Sequence, residues 1–166
     1  MTAPLTEIAL FRLEPLPGEF PQARVVAEER PTATVLEGRV LEAQYRCDLG
    51  FLLLTSDDNP YEEALHIRLL DLHFQVIDAV DLRQIYHPAM LHNLQVIDPH
   101  SLMFSFFGND RWRLDIDVQA RIRWDVHPFA SVSYPGGRLR THYLRLVRAN
   151  GDDGSSARQL RGASGP

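Results

Sequence analysis

The chain has 166 residues, 45% of them hydrophobic, and a formal net charge of −5. A chain of this size can bury a core as a single domain. All 17 basic residues are Arg, and the lone cysteine, Cys47, excludes an internal disulfide and any zinc site built from cysteines. Near the N-terminus, the longest apolar run covers only residues 8–11, too short for a signal peptide or a membrane span. We therefore expect a cytoplasmic protein without a membrane segment.

The first 47 residues predict two strands separated by an irregular segment. Thr6 to Leu13 predicts one short strand. Breakers then follow at Pro15, Pro17, Gly18, Pro21 and Pro31, and they predict an extended segment that wraps around the fold without building a sheet. Residues 35–47 predict a strand. Its alternation of polar and apolar residues slips at Gly38, which indicates a β-bulge there.

Residues 49–54 are apolar at every position, as expected for a central strand covered from both sides. Residues 63–71 alternate, with Leu65, Ile67 and Leu69 on one face. A tight connection at 71–74 leads into 75–82, so the two segments predict a hairpin. His66 points away from the leucine face, and we expect it to be a half-exposed sheet histidine that is also a candidate binding residue.

Periodicity fails around residues 83–93, and Pro88 disfavours a continuous helix because the residue before proline avoids helical angles. We predict a loop with at most one helical turn near 88–92. Loops carried by a rigid sheet often hold functional groups. Tyr86, His87 and His92 are therefore the first choice for a ligand or partner site.

Residues 94–97 and 102–107 predict another hairpin, which leads into the most regular stretch of the chain, residues 111–125. Every even position of that stretch is apolar and every odd position is polar. This period of two predicts a strand with one buried face, and with Trp112 and Trp124 turned inward. At about 3.3 Å per residue the strand approaches ~50 Å, long enough to need a bend or bulge.

Residues 130–134 and 139–147 predict a last hairpin around the Pro-Gly-Gly at 135–137. From residue 149 onward the Gly, Ser and Asp content predicts a disordered tail. The whole pattern predicts an all-β fold, a single antiparallel β-sandwich of about eight to ten strands over residues 1–148. A partly open or closed β-barrel is the alternative.

The charges are unevenly distributed along the chain. Residues 1–110 carry seven Arg against seventeen Asp or Glu, a net −10, whereas residues 111–166 carry ten Arg against five Asp, a net +5. Pairing across neighbouring strands is the simpler explanation. The alternative is an Arg face that receives phosphate or an acidic partner. Its members would be Arg121, Arg123, Arg138, Arg140, Arg145 and Arg148. Nucleic acid is not expected, because the chain is acidic overall and these segments lack interleaved aromatic residues.

Chemical motifs are sparse. The acidic run at 57–63 offers Asp57, Asp58, Glu62 and Glu63 as weak candidates for a hard cation such as Ca²⁺, although a solvated acidic turn is the ordinary interpretation. The histidines lack metal-ligand spacing, and nucleophile and phosphate-loop motifs are missing. We assign no catalytic residue, metal or cofactor.

These observations predict a non-enzymatic cytoplasmic protein that binds a macromolecular partner, either another protein or a second copy of itself, through a sheet edge or a loop surface. The alternative is a barrel, or an enzyme, with an internal cavity for a small apolar ligand. The aromatic residues at 104, 106, 107, 112 and 124 would line that cavity. The sequence Gln-Val-Ile-Asp occurs at both 75–78 and 95–98, which we interpret as chance similarity.

Overall fold

The computed structural model describes residues 4–122, 131–136 and 140–149, and in these ranges the chain forms thirteen strands and no helix. Consequently none of the described residues belongs to a helix long and apolar enough to cross a membrane. The strands are β1 (Thr6–Glu7), β2 (Phe11–Pro15), β3 (Gln22–Ala27), β4 (Arg30–Glu37), β5 (Val40–Cys47), β6 (Gly50–Ser56), β7 (Ala64–Leu70), β8 (Val76–Arg83), β9 (His92–Asp98), β10 (Ser101–Ser105), β11 (Arg111–Ile122), β12 (Val132–Ser133) and β13 (Thr141–Arg148).

The strands form three antiparallel sheets. The six-stranded sheet has the order β1-β5-β6-β7-β8-β12, the four-stranded sheet β13-β11-β10-β9, and the three-stranded sheet β2-β3-β4. None of them closes into a barrel. The predicted all-β antiparallel fold is confirmed and is consistent with a sandwich, but it contains three sheets and more strands than the sequence indicated.

The six-stranded sheet lies in the middle, because β6 sends side chains into two separate cores. Leu52 and Leu54 belong to the core shared with the four-stranded sheet. Phe51 and Leu53 belong to the core shared with the three-stranded sheet. All seven residues of β6 are buried. The prediction of a central strand covered on both sides is therefore confirmed, and an apolar run without alternation has this physical cause.

The segment expected to wrap loosely, residues 15–31, instead contains the middle strand of the three-stranded sheet and one end of each of its other two strands, so that prediction was wrong. Pro15 ends β2 and Pro31 is the second residue of β4, positions where a strand tolerates a missing amide. β3 and β4 are joined by Glu28 and Glu29, both with positive φ. Tight hairpin turns normally signal themselves by Gly or Asn, and this one does not.

Gly38 does not form the predicted bulge inside one strand. It lies at the corner where the chain leaves β4 of the three-stranded sheet and enters β5 of the six-stranded sheet. Its φ is +94°, and a Cβ there would come within 2.9 Å of Thr55 Oγ1 and of the Ser56 carbonyl. The slip of alternation therefore marks a change of sheet, and the close approach of the backbones explains the glycine.

The predicted long strand is present as β11, and the bend or bulge predicted within it is confirmed. Its register with β13 shifts between Ile116 and Arg121, where four residues of β11 face one residue of β13. Trp112 and Ile116 are buried, but Val118 and Ile122, beyond the shift, are exposed. The inward-facing pattern thus holds only for the first half of the strand. Trp124 lies outside the described residues.

Residues 132–148 do not form the predicted hairpin. β12 pairs with β8 in the six-stranded sheet, whereas β13 pairs with β11 in the four-stranded sheet. The chain therefore crosses from one layer to the other between β12 and β13. The Pro-Gly-Gly sequence at 135–137 predicts a turn, but it does not show which strand pairs with the segment on each side of that turn.

The two Gln-Val-Ile-Asp segments share a local structure. In β8 the register with β7 shifts between Asp78 and Val76, and in β9 the register with β10 shifts between Asp98 and Val96. In each case the isoleucine is the extra residue of a bulge beside a hairpin turn. The bulge breaks the alternation at the same place in both strands.

Candidate functional site

His66 is held between two carboxylates at one end of the six-stranded sheet. Its Nδ1 lies 2.9 Å from Asp81 Oδ1, and its Nε2 lies 2.9 Å from Asp57 Oδ1. An ionised carboxylate only accepts hydrogen bonds, so both ring nitrogens must carry a proton. His66 is buried, with 3% of its surface exposed, so the expected half-exposed position was wrong, and its two carboxylate contacts favour the imidazolium form.

Arg68 extends this cluster along β7. Its Nη1 donates to Asp81 Oδ1 at 2.6 Å, and its Nη2 donates to Glu37 Oε2 at 2.8 Å. Arg83, on the far side, donates weakly to Asp57 Oδ2 at 3.4 Å. We call these six residues the His66 cluster. Its members are Glu37, Asp57, His66, Arg68, Asp81 and Arg83.

The local sequence explains why the cluster forms. Leu65, Ile67 and Leu69 of β7 enter the larger core, so the intervening His66 and Arg68 point toward the opposite side of the sheet. The strand register then places His66 beside Asp81 of β8. The three-stranded sheet covers only part of this side of the six-stranded sheet. The charged residues of the His66 cluster lie on the rest of it, each next to a residue of opposite charge, because a buried charge needs a partner.

Electrostatics keeps the cluster charged. Burial by itself would lower the pKa of His66, but hydrogen bonds to Asp57 and Asp81 outweigh burial and raise that pKa above its ordinary value. Burial would likewise raise the pKa of Asp81, but its contacts with His66 and Arg68 lower it. Each ionised group thus stabilises the charge of its neighbour.

The acidic residues at 57–63, the weak candidates for a cation site, make different contacts in the structure. Asp57 binds His66 and Arg83, whereas Glu63 accepts the amides of Asp57, Asn59 and Ala64. Asp58 is exposed with a φ of +60°, and Glu62 is half-buried. Among the described residues no group of three or more potential ligands is arranged to hold a metal ion.

The proposed Arg face is only partly within the described residues, because Arg123 and Arg138 lie outside them. Arg121 and Arg140 are exposed, and Arg121 Nε lies 4.0 Å from Asp117. Arg145 faces Asp115 across the β11–β13 register at 3.9 Å. These contacts fit the simpler interpretation, in which opposite charges pair between neighbouring strands.

The aromatic residues that would line a cavity in the barrel alternative belong to the core between the six- and four-stranded sheets, as the simpler interpretation of core packing predicts. Phe104, Phe106 and Trp112 are fully buried, and Phe107 contacts Phe106 and Trp112 edge to face. Aromatic pairs in this geometry stabilise a core beyond their buried area. Within the described chain these side chains pack the core.

The loop at residues 84–91 has a fixed inner side. The Met90 amide donates to the Phe106 carbonyl at 3.1 Å, and His92 Nδ1 lies 2.9 Å from the Met90 carbonyl. His87 packs edge to face on Phe107, with ring centroids 6.3 Å apart. The described segment 88–92 forms no helical turn, because the Met90 amide donates to Phe106, just after β10, and not to a carbonyl of its own loop.

The outer side of the same loop is apolar and exposed. Ile85, Tyr86 and Met90 are 65%, 88% and 74% exposed, and Val96 and Ile97 of the following strand are 44% and 40% exposed. Strand β9 ends the order of the four-stranded sheet. We call the loop 84–91 together with β9 the 84–98 edge. It brings together Tyr86, His87 and His92, three of the residues that the sequence singled out.

A shallow depression of about 250 Å³ adjoins the 84–98 edge on the outer face of the four-stranded sheet. His92 and Gln95 of β9 line it together with Met103 and Arg111 of the next two strands. A second depression of about 390 Å³, farther along β11, is lined by Arg113, Arg121 and Arg145 and by three aspartates. Its charges are balanced.

Two buried polar groups were missed by the sequence reasoning, Asp78 and His142. Asp78 Oδ1 lies 2.9 Å from His142 Nδ1, and Asp78 Oδ2 accepts the amides of Tyr143 and Leu144. Arg68 and Asp81 were missed as well. The signal was an isolated charge inside an otherwise apolar strand, since such residues are rarely buried without a partner.

Comparisons of the chain with protein-family models, with curated proteins and with solved structures gave no significant match.

Proposed function

We propose that the chain is a non-enzymatic cytoplasmic protein that binds another protein through the 84–98 edge. The observation that supports this proposal is the succession of five exposed apolar side chains along one loop and one edge strand. Single exposed apolar residues are normal, but several together mark interaction surfaces. The other exposed aromatic side chains, such as Phe20 and Tyr61, lie far away in sequence.

The edge is preorganised. The Met90 and His92 contacts fix the loop to β10 and β9, and Ala89 and Leu91 pack against the larger core. Ile85 and Tyr86 are therefore exposed on a supported loop. A surface that is already ordered loses less conformational entropy on binding, which favours affinity.

Tyr86 adds a second argument. Its φ is +59°, a left-handed conformation that costs a bulky residue about 1–3 kcal/mol. Such strain persists where the surrounding structure requires it, often at binding surfaces. An aromatic residue that is both strained and exposed fits a contact with a partner better than a role in folding.

Side chains of the loop, and not a long backbone ladder, are expected to supply most of the affinity. β9 carries bulges at Ile97 and near Asn93, whose φ is +53°. Bulges on an edge strand interrupt regular pairing with an incoming strand. A partner would therefore bury Tyr86 and its apolar neighbours first and use the strand edge second.

The absence of enzymatic activity is part of the proposal. Both nitrogens of His66 are occupied by carboxylates, and His92 uses Nδ1 on a carbonyl. The buried Cys47 has a pKa raised by burial, which disfavours the reactive thiolate. A single unreactive thiol suits a reducing cytoplasm.

The test is affinity capture with the full chain from its native host, comparing two triple variants. Ile85→Ser, Tyr86→Ser and Met90→Ser together should abolish retention of the specific partner. The matched control, Phe20→Ser, Tyr61→Ser and Leu72→Ser, removes comparably exposed apolar residues and should retain it. Equal capture by both variants would contradict the proposal. A dimer in sedimentation that only the first variant dissociates would identify the partner as a second copy.

A further inference from the structure

We infer that the protonated His66 ring is a latch that holds the segment 57–63 against the six-stranded sheet, and that loss of its proton frees this segment. His66 and the segment 57–63 lie at the start of β7, and the latch does not depend on a partner at the 84–98 edge, which Arg83 of the His66 cluster directly precedes. It rests on three features of the described structure, which are the two contacts of the ring, the attachments of the segment, and the charges around the ring.

The two ring contacts cannot both survive deprotonation. A neutral imidazole carries one N–H, so one of its nitrogens would present a lone pair to a carboxylate oxygen 2.9 Å away. Exchange between the two tautomers only changes which contact is lost. In a buried site, with 3% of His66 exposed, water does not readily replace the missing hydrogen bond.

The contact to Asp57 is the one expected to open. Asp81 is fixed in the β8 ladder and also accepts from Arg68 at 2.6 Å. Asp57 follows the last residue of β6, and its second oxygen has the longer 3.4 Å contact with Arg83, whose side chain is half exposed. Breaking the His66 contact therefore removes the stronger of the two side-chain attachments described for Asp57.

The segment 57–63 is otherwise bonded mostly to itself. The amides of Asp57 and Asn59 donate to the Glu63 carboxylate, and the Tyr61 amide donates to Asn59 Oδ1. Glu63 Oε1 also accepts the amide of Ala64, the first residue of β7. Apart from that bond, the hydrogen bonds described for the segment are internal or pass through Asp57. We expect the internal bonds of the segment to open more readily when Asp57 is released, because the segment then loses its main side-chain contact with the sheet.

The surrounding charges favour the proton. Glu37 from β4, Asp57 and Glu63 from the segment, and Asp81 from β8 contribute four negative charges. Arg68 from β7 and Arg83 from β8 contribute two positive charges, and Thr55 of β6, the register partner of His66, is neutral. A protonated His66 leaves one excess negative charge, and a neutral ring leaves two.

The direction of the pH effect follows from the cluster. Because Asp57 and Asp81 raise the pKa of His66 in the folded protein, the latch is complete below the unfolded value of about 6.5. Its contribution is lost as the pH rises through the elevated folded pKa. The fraction of open segment should increase by at most about tenfold for each unit by which that pKa is raised.

The experiment is limited digestion of the full chain with chymotrypsin between pH 6 and pH 9. Tyr61 lies in the segment and Tyr86 lies outside it, and both are highly exposed. The ratio of cleavage at Tyr61 to cleavage at Tyr86 cancels the pH dependence of the protease itself. We expect this ratio to rise with pH in the unmodified protein, and a constant ratio would overturn the inference.

Two variants give opposite results. His66→Gln cannot carry the charge, so the ratio should be high at every pH. Asp57→Asn supplies an amide that can donate to the neutral ring, so the ratio should stay low at every pH. His73→Gln, in the β7–β8 connection, is the control and should preserve the rise. A rise that persists in His66→Gln would overturn the inference.

A spectroscopic measurement covers the case in which a variant does not fold. In ¹⁵N-labelled unmodified protein at pH 6, both ring nitrogens of His66 should show the chemical shifts of protonated nitrogen. Hydrogen exchange at the Asp57 and Asn59 amides should accelerate, beyond its intrinsic pH dependence, as one of those shifts moves to the unprotonated value. A neutral ring at pH 6, or exchange that does not follow the titration, would contradict the latch.

Discussion

The two edge strands of the four-stranded sheet, β13 and β9, differ in whether side chains bind their outer backbone groups. At the β13 edge, the amides of Tyr143 and Leu144 donate to Asp78, and the amide of Leu146 donates to the Tyr134 hydroxyl. Side chains from the neighbouring layer therefore occupy the backbone groups that a further strand would use. At the β9 edge the strand pairs with β10 and, among the described strands, with no other, and Val96 and Ile97 face solvent.

The difference shows what decides whether a sheet edge belongs to the core or to the surface. Both edges carry bulges, so bulges alone do not distinguish them. Within the part of the chain that the structure describes, only the β13 edge has a buried acceptor, Asp78, which belongs to a strand of the other sheet. That acceptor joins the two layers, and an edge without it stays available to a partner.

The largest expected effect comes from removing the acceptor. Asp78→Ala leaves the amides of Tyr143 and Leu144 and the ring of His142 without their buried partner, and should cost about 3–5 kcal/mol of unfolding free energy. Denaturant unfolding measures this cost. Asp98→Ala is the matched control, because Asp98 ends the same four-residue sequence in β9 but is partly exposed, and should cost no more than about 1 kcal/mol. Equal costs would show that the two edges do not differ as described.

A smaller loss is expected at the hydroxyl that caps the same edge. Tyr134→Phe removes the acceptor of the Leu146 amide and should cost about 1–3 kcal/mol, the usual penalty for an unsatisfied buried amide. The aromatic ring remains, so its contact with His142 is kept. Thermal and denaturant unfolding should agree on the sign, while Tyr61→Phe, at an exposed position, should change nothing measurable. A neutral Tyr134→Phe variant would mean that water satisfies the amide.

The smallest expected effect is a gain in stability, from a substitution on the 84–98 edge. Tyr86→Asn places a residue that tolerates positive φ in a left-handed position, and should stabilise the fold by about 1 kcal/mol. For a chain of this length that corresponds to roughly 2–4 °C in the melting temperature. The same change should weaken partner capture, because the exposed ring is lost. Tyr61→Asn should not stabilise, and a Tyr86→Asn variant that melts lower would refute the strain.

The local pattern of polar and apolar residues was sufficient to predict a strand and its buried face wherever the strand stays within one sheet. The inward face of 63–71, the central strand at 49–54 and the inward side chains of 112–116 were predicted correctly. It was insufficient where strands change sheets. Gly38 and the 132–148 region look like a bulge and a hairpin in sequence, but each is a crossing between layers, which depends on contacts between residues distant in the chain.

The candidate site shows the same division. Tyr86, His87 and His92 were singled out because periodicity fails around them, and the structure places them on one edge. Their exposure and strain could not be derived from residue types. His66 was expected to be half exposed, because nothing in β7 itself shows that Asp57 and Asp81 converge on its two nitrogens. The two predicted regions at 1–148 and 149–166 remain predictions, as residues 150–166 lie outside the described structure.

By itself the sequence determined that this chain builds antiparallel strands, because side-chain alternation is a property of neighbouring residues. Tertiary structure decided which edge is closed, which histidine is charged and which apolar side chains stay in solvent. Those outcomes depend on pairs such as Asp78 with His142 and Asp57 with His66. Such pairs form only when the sheets pack against each other. Their partners are far apart in the sequence, so the burial and hydrogen bonds that stabilise them produce no pattern among neighbouring residues.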